Sequence, residues 1–133
     1  MARIDEIAGI DPKLATRLRK SGIRTTESLL KRTATRPGRE QLALDTGLDP
    51  EQILRWAQRA DIMRVKGIGA EYAVLLEACG VSTIRDLRRR NATALTAKLT
   101  DHNARKQMVR RLPTEQMVAA WIEGAATIEP QVR

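Results

Sequence analysis

The stretch VKGIGAEYAVLLEACGV, residues 65–81, decides the fold. It places Gly67, Ile68 and Gly69 between two segments that have the composition of helices. Gly67 can adopt a positive φ angle and so reverse the chain within very few residues, and Gly69, which has no Cβ atom, allows another backbone to approach. Ile68 is the side chain expected to fill the gap between the two helices. The stretch therefore predicts two helices joined by a tight turn.

The same pattern occurs once more, 58 residues earlier in the chain. The residues that match at this spacing are Gly9 with Gly67, Ile10 with Ile68, Ala15 with Ala73, Leu18 with Leu76, Gly22 with Gly80, Thr25 with Thr83 and Leu29 with Leu87. The two tryptophans, Trp56 and Trp121, also lie at equivalent places, and we expect both to be core residues. The repeat predicts two units, residues 1–61 and 62–133, which form one rigid body without a flexible linker.

Composition favours an all-α protein. Hydrophobic residues make up 42% of the 133 residues, and Phe is absent. Strong helix formers dominate and runs of β-branched residues are missing, which is typical of helical domains. We therefore predict an all-α fold of two helical hairpin units that share a long central helix.

Turn and cap signals predict where several of the helices begin and end. Asp49 followed by Pro50 predicts the start of the central helix, because Asp caps a helix and Pro fits its first position. This helix is expected to continue to Val65 and so to enter the second unit. Arg-Pro-Gly at residues 36–38 predicts a break in the chain. Ser82 is the predicted cap of the helix that follows the second hairpin.

The spacing of Gly67-Ile68-Gly69, with the alanine and leucine positions after it, resembles the helix-hairpin-helix motif. In such a turn the N–H groups that follow the second glycine point outward from a helix N-terminus and can bind a phosphate oxygen. Nearby basic side chains would add attraction for a polyanion. The predicted DNA-phosphate site therefore consists of Arg64, Lys66, Gly67, Ile68, Gly69 and Ala70.

The first copy departs from this pattern, because Asp11 takes the place of the second glycine. A carboxylate there can cap the helix itself and would repel an anion. Lys13 partly offsets the repulsion. The segment Gly9, Ile10, Asp11 and Lys13 is thus a second candidate hairpin, which either binds phosphate weakly, serves the structure or contacts a protein.

Charge gives a further indication of the partner. The 24 basic and 16 acidic residues leave a net charge of +8, and residues 62–133 carry 12 basic and 7 acidic side chains. A field of this sign attracts polyanions such as nucleic acids. The Arg-rich clusters expected to form a basic patch are Arg85, Arg88, Arg89, Arg90, Arg105, Lys106, Arg110 and Arg111.

Two other functions are open at this point. Residues 39–56 have the spacing of a helix-turn-helix, in which Arg55, Gln58 and Arg59 would face the major groove of DNA and read sequence. Alternatively, the hairpins are packing surfaces of a protein-interaction adaptor, which bind a protein partner or a second copy of the chain.

The chain as a whole resembles an uncharacterised family of bacterial tandem helix-hairpin-helix proteins, a domain of unknown function. The resemblance covers residues 4–125 and includes the stretches ILRWAQRADIMRVKGIGAEYA, VRRLPT and VAAWIEGA. It implies the fold, and it is consistent with non-specific binding of double-stranded DNA, accessory to repair, recombination or nucleoid functions.

The sequence contains no pattern that is typical of a catalytic or cofactor-binding site. Cys79 is expected to be a buried structural thiol and His102 an exposed residue on a helix, and neither belongs to a metal-binding or catalytic pattern. We expect no enzyme activity, no cofactor, no small-molecule substrate and no membrane partner. The N-terminal segment carries acids where a secretion signal would be apolar, so we expect a cytoplasmic protein.

Overall fold

The computed structural model describes residues 2–133, and in this range the chain is helical. A short 3-10 helix at Ile4–Glu6 precedes the α-helices. The α-helices are α1 Pro12–Lys20, α2 Thr26–Thr33, α3 Arg36–Thr46, α4 Pro50–Ile62, α5 Ala70–Ala78, α6 Ile84–Arg88, α7 Ala92–Lys106 and α8 Glu115–Ala126. The described residues contain no strand, apart from one isolated antiparallel bridge between Arg3 and Thr25. The all-α prediction is confirmed.

The chain forms two compact units. Unit 1 contains the described residues through Asp61 together with Gln131–Arg133, and unit 2 contains Ile62–Pro130. Each unit has a core of aliphatic side chains around one tryptophan. Trp56 is 1% exposed and Trp121 is 2% exposed, so the prediction that both are core residues is confirmed.

The core of unit 1 is built by the first helices of the chain and by α4. Its fully buried residues include Ile4, Ile7, Ala15, Leu18, Ile23, Leu29, Leu42, Ile53 and Trp56. The Thr25 hydroxyl caps α2 by accepting the N–H of Ser28 at 3.1 Å. The turn that contains Gly9 lies against α4, where the side chains of Trp56 and Arg59 are next to Gly9.

The predicted break at residues 36–38 is wrong, because α3 begins there. The Thr35 hydroxyl caps this helix and accepts the N–H of Gly38 at 3.3 Å. Pro37 lies in the first turn, where a missing N–H costs no intrahelical hydrogen bond. The same three residue types therefore open a helix instead of ending one.

The predicted length of the central helix is also wrong. Helix α4 begins at Pro50, as expected, but it ends at Ile62 and does not continue to Val65. The N–H of Val65 donates to the carbonyl of Ile62 at 3.1 Å, and the N–H of Ile68 donates to the carbonyl of Val65 at 3.1 Å. Each of these hydrogen bonds joins residues three positions apart and closes a turn. The residues from Ile62 to Ile68 therefore form two successive turns and do not extend the α-helix.

In unit 2, helices α5 to α8 enclose a core that includes Ile62, Val65, Ile68, Leu76, Ile84, Leu87, Leu95, Leu99, Val118 and Trp121. The cap of α6 is Thr83, whose hydroxyl accepts the N–H of Asp86 at 3.0 Å. The prediction of Ser82 as this cap is therefore wrong by one residue. Ser82 instead donates its N–H to the Asp86 carboxylate at 3.4 Å.

The last three residues of the chain are held within unit 1. The N–H of Gln131 donates to the buried Asp61 carboxylate at 3.0 Å. The N–H of Arg133 donates to the carbonyl of Ala34 at 2.8 Å. The Arg39 guanidinium, which is 8% exposed, donates to the carbonyls of Thr33 and Arg133, each at 2.8 Å. Burial lowers the pKa of Arg39, and the neighbouring charge of Arg36 adds to this effect.

Cys79 and His102 have different environments. Cys79 is buried, as predicted, and burial raises the pKa of its thiol. His102 lies on α7, but it is half-buried, and its Nε2 atom is shielded from solvent without a hydrogen-bond partner among the described residues. The expectation of an exposed histidine is wrong, because this side of α7 is only partly accessible to solvent.

Candidate nucleic-acid interface

The turn at Gly67 requires glycine for two reasons. Its φ angle is +94°, a conformation that L side chains rarely adopt. A Cβ atom at this position would also lie 2.9 Å from Nε1 of the Trp121 indole, too close for a non-bonded contact. The turn and the tryptophan of unit 2 therefore fix one another. Ile68 follows the turn and is 4% exposed, as expected for a residue that fills the core.

Gly69 differs from Gly67, because the fold itself does not require a glycine there. Its φ angle is −92°, which is extended backbone. A Cβ atom at this position would meet nothing within 4 Å among the described residues. The prediction that Gly69 allows another backbone to approach stays a prediction, because no other part of the described chain lies there. The space in front of Gly69 is open.

Helix α5 begins without a side-chain cap. Gly69 occupies the N-cap position, and no side-chain cap hydrogen bond is present there among the described residues. The first backbone N–H groups of an α-helix have no intrahelical acceptor, and they carry the positive end of the helix dipole. The N–H groups that follow Gly69 therefore form a cluster of donors next to open space.

Two basic residues of the predicted phosphate site precede the N–H groups of α5, and they differ in their contacts. Lys66 is exposed beside Gly67. Arg64 is also exposed, and its guanidinium donates to the carbonyl of Glu129 at 2.9 Å. Arg64 is thus linked to the end of unit 2, whereas Lys66 projects from the turn itself.

The segment after α7 lies next to the first turn of α5. The Tyr72 hydroxyl donates to the carbonyl of Arg111 at 2.8 Å. A cavity of about 550 Å³ is lined by Glu71 on one side and by Met108 and Arg110 on the other. The structure therefore places the segment with Arg110 and Arg111 beside the start of α5. Glu71 contributes a negative charge at the same place.

A buried asparagine fixes the shape of this segment. The Asn103 side chain accepts the N–H of Val109 at 2.9 Å and donates to the carbonyl of the same residue at 3.2 Å. Gln107 ends α7 in the left-handed conformation, with φ +41°. The sequence contained a signal for this loop, since Asn103 continues the four-residue spacing of Leu95 and Leu99 with a polar side chain.

The cluster at residues 85–90 is partly occupied by structural contacts. Arg88 donates through Nε to the carbonyl of Ala125 at 2.6 Å, and through Nη2 to the carbonyl of Ile128. Arg90 donates to the carbonyl of Gly80 at 3.0 Å, just beyond the end of α5 opposite to Gly69. Arg85 and Arg89 are exposed.

At the end of α7, Arg105 pairs with Asp101 on the preceding turn, and Lys106 is exposed. The structure therefore places the predicted basic residues at several locations in unit 2. Of these, Arg110 and Arg111 have contacts or cavity walls that adjoin the first turn of α5.

The first hairpin has the same turn and a closed helix start. Gly9 has φ +92°, and a Cβ atom there would lie 3.3 Å from Nε1 of Trp56. The Asp11 carboxylate accepts the N–H of Leu14 at 2.8 Å, so it caps α1 as the sequence predicted. Lys13 is exposed in the first turn. One donor that a phosphate would use is thus already bound.

The rival DNA-reading surface on α4 is partly occupied as well. Helices α3 and α4 are joined through Gly47, which has φ +72°. Arg55 is exposed and Gln58 is half-buried. Arg59 donates to the carbonyl of Ala8 at 2.6 Å, within unit 1. One of the three predicted base-reading side chains is therefore held by the first hairpin.

Two features are absent from residues 2–133. No helix in this range combines the length and the apolar character that crossing a bilayer requires. No group of three or more His, Cys, Asp or Glu side chains in this range is arranged to hold a metal ion.

Comparison with known proteins gives a family match. No curated protein and no solved structure matches the chain. A family model described as a domain of unknown function (DUF4332) matches residues 8–128, which include both hairpins and both tryptophans. The chain therefore belongs to this family, DUF4332, a domain of unknown function.

Proposed function

We propose that the protein binds double-stranded DNA without sequence preference, and that the main phosphate contact lies at the start of α5. The observation that carries the proposal is the helix start at Gly69, which has no side-chain cap and faces open space. Backbone N–H groups in this arrangement bind phosphate through directed hydrogen bonds and the positive end of the helix dipole. They contact the DNA backbone and read no base edges.

The charges around this helix start support a polyanion as the ligand. Lys66 lies on the turn before it, and the segment with Arg110 and Arg111 lies beside its first turn. Each Lys or Arg that neutralises a phosphate releases condensed counterions, which favours binding at low salt. Glu71 opposes an anion, so we expect modest affinity.

Sequence-specific reading through α4 has less support. Asp49 and Glu51 are exposed at the start of α4, where a recognition helix would approach the phosphates. Arg59 is hydrogen-bonded to Ala8. The proposed contact of unit 2 with the DNA backbone gives the uncapped start of α5 a function. The helix-turn-helix interpretation gives it none.

A salt titration tests the proposal. Fluorescence anisotropy with labelled duplexes of unrelated sequence should give a Kd that is micromolar or weaker, on the order of 10⁻⁶ M to 10⁻⁴ M, at physiological salt. The Kd should rise steeply with salt and should be nearly the same for all duplexes. Affinity independent of salt would rule out phosphate contacts and favour the adaptor function. A strong preference for one duplex would instead favour reading through α4.

A further inference from the structure

Unit 2 has an open groove on the side of the turn that faces α8. Its volume is about 590 Å³, and its walls include Lys66 and Gly67 on the turn and Ala120, Trp121, Glu123 and Gly124 on α8. The Trp121 ring is buried in the core, and its Nε1 edge reaches Gly67. The groove thus lies directly against the tryptophan–glycine contact that fixes the hairpin.

Unit 1 contains the same tryptophan–glycine contact, but an arginine fills the space beside it. Nη1 of Arg59 lies 3.0 Å from the position of a Cβ atom on Gly9, and Nε1 of Trp56 lies 3.3 Å from the same position. The Arg59 guanidinium donates to the carbonyl of Ala8 at 2.6 Å. In unit 1, a guanidinium is therefore part of the hairpin.

The equivalent position in unit 2 carries no side chain. Arg59 follows Trp56 by three residues, and Gly124 follows Trp121 by three residues. Each tryptophan meets its turn glycine through the same Nε1 edge. Because Gly124 stands where Arg59 would, α8 leaves vacant the place that α4 fills in unit 1.

The walls of the groove suit a guanidinium. The apolar stem of an arginine can pack on apolar surface, which Ala120 and Gly124 supply here. Glu123 supplies a carboxylate, with which arginine forms strong charge-assisted hydrogen bonds. The Lys66 ammonium opposes a second cation, but it stands on a flexible stem and can turn away.

We propose that this groove binds an arginine side chain of a protein partner. The bound guanidinium takes the place that Arg59 takes in unit 1, donates to the backbone carbonyl of Lys66 and pairs with Glu123. The groove shares Lys66 and Gly67 with the predicted phosphate site, but it does not use the amides after Gly69, and the proposal does not depend on DNA binding.

The test uses the full chain and N-acetyl-arginine amide as the probe, followed by the indole N–H signals in NMR spectra. The Trp121 signal should shift with a Kd on the order of 1 mM, as expected for a ligand of this size. The Trp56 signal should stay in place, because Arg59 already fills the equivalent site. N-acetyl-lysine amide should bind at least several-fold more weakly.

Two variants of Gly124 make the test specific. In Gly124→Arg the chain supplies its own guanidinium, and the shift of the Trp121 signal by the probe should be lost. Gly124→Ala is the matched control, because its Cβ atom meets the same neighbour, Val65 Cγ1 at 3.3 Å, without filling the groove. It should bind the probe within about twofold of wild type.

A surface variant covers the case in which Gly124→Arg does not fold. Glu123→Gln removes the carboxylate from an exposed position and should weaken probe binding several-fold. The proposal is overturned if the wild-type Trp121 signal does not respond to the probe, or if the arginine and lysine probes bind equally. It is also overturned if Glu123→Gln binds the arginine probe as wild type does.

Discussion

The turns of the two hairpins have the same conformation, and the hairpins differ at the start of the helix that follows each turn. Gly9 and Gly67 have φ angles of +92° and +94°, and each lies against the Nε1 edge of a tryptophan. After the first turn, Asp11 caps its helix, whereas Gly69 leaves the second helix uncapped. One residue thus determines whether the same scaffold presents a closed or an open helix start.

A second difference lies on the opposite side of the turn. Arg59 closes the first hairpin by bonding to the carbonyl of Ala8, and Gly124 leaves the corresponding place in unit 2 unfilled. In unit 1, Asp11 accepts one N–H at the helix start and Arg59 donates to one carbonyl of the turn, whereas the described residues of unit 2 have no side chain at either corresponding position, Gly69 and Gly124. Under the two proposals, unit 2 would carry the binding surfaces, and unit 1 would have a structural role.

The largest expected effects are on the free energy of unfolding, and they concern the buried tryptophan that lies beside the turn in both hairpins. Trp56→Ala and Trp121→Ala each remove a buried ring, and each should lower the free energy of unfolding by roughly 3–5 kcal/mol. Equilibrium unfolding in urea, followed by circular dichroism, measures the loss. A much smaller loss at one site would show that its tryptophan is not needed to hold the turn.

The same tryptophans provide a control on the position of the DNA site. Both rings are buried, so the fluorescence of the free protein should be blue-shifted and should change little when duplex DNA is added. The contrary outcome is strong quenching of the fluorescence by DNA and a Trp56→Ala variant that is stable but no longer binds DNA. These two results together would place the DNA interface on α4.

The next effect separates the two glycines of the second hairpin. Gly67→Ala imposes strain at positive φ and a contact of 2.9 Å with Trp121, and it should lower the free energy of unfolding by about 1–3 kcal/mol. Gly69→Ala is the matched control. Its site is open and extended, so the change should lower the free energy of unfolding by only about 0.5 kcal/mol, because alanine is a poorer N-cap than glycine. Equal losses in urea unfolding would contradict the different roles assigned to these residues.

A smaller effect should appear in binding when the second hairpin is made like the first. Gly69→Asp places a capping carboxylate at the start of α5, where it occupies a donor and repels phosphate. Duplex affinity should fall several-fold, which is on the order of 1 kcal/mol. Anisotropy titration measures the loss, and an unchanged circular dichroism spectrum shows that the fold is intact. Unaltered affinity would place the phosphate contact elsewhere.

The reverse change should have the smallest effect. Asp11→Gly opens the start of α1, and it should leave duplex affinity unchanged or raise it slightly. Replacing a capping side chain by glycine should lower the free energy of unfolding by only about a few tenths of a kcal/mol. If Asp11→Gly and Gly69→Asp weaken DNA binding equally, the contrast between the hairpins is wrong.

Local signals in the sequence predicted much of the fold. The two turn glycines and the Asp11 cap follow from residue type and spacing, because each depends on neighbours a few residues away, and the equivalent places of the tryptophans in the repeat predicted their burial. The same local rules failed at residues 36–38. The Thr35 cap places Pro37 in the first turn of a helix, and the prediction of a break from Arg-Pro-Gly did not take Thr35 into account.

The surroundings of the candidate site were harder to predict, because they depend on contacts distant in sequence. The position of Arg111 beside Tyr72 rests on a hydrogen bond across 39 residues. The carbonyl contacts of Arg88 join residues 37 and 40 positions apart. A run of arginines does not reveal which of them the fold will use for its own carbonyl groups.

The most direct test of the open helix start is to follow the backbone amide signals in NMR spectra while short duplex DNA is added at low salt. The amides of Gly69, Ala70 and Glu71 should show the largest shifts, and those of Lys13 and Leu14 at the capped start of α1 should change little. Raising the salt concentration should reverse the shifts. Shifts concentrated on α1 or α4, with the amides after Gly69 unaffected, would contradict the account.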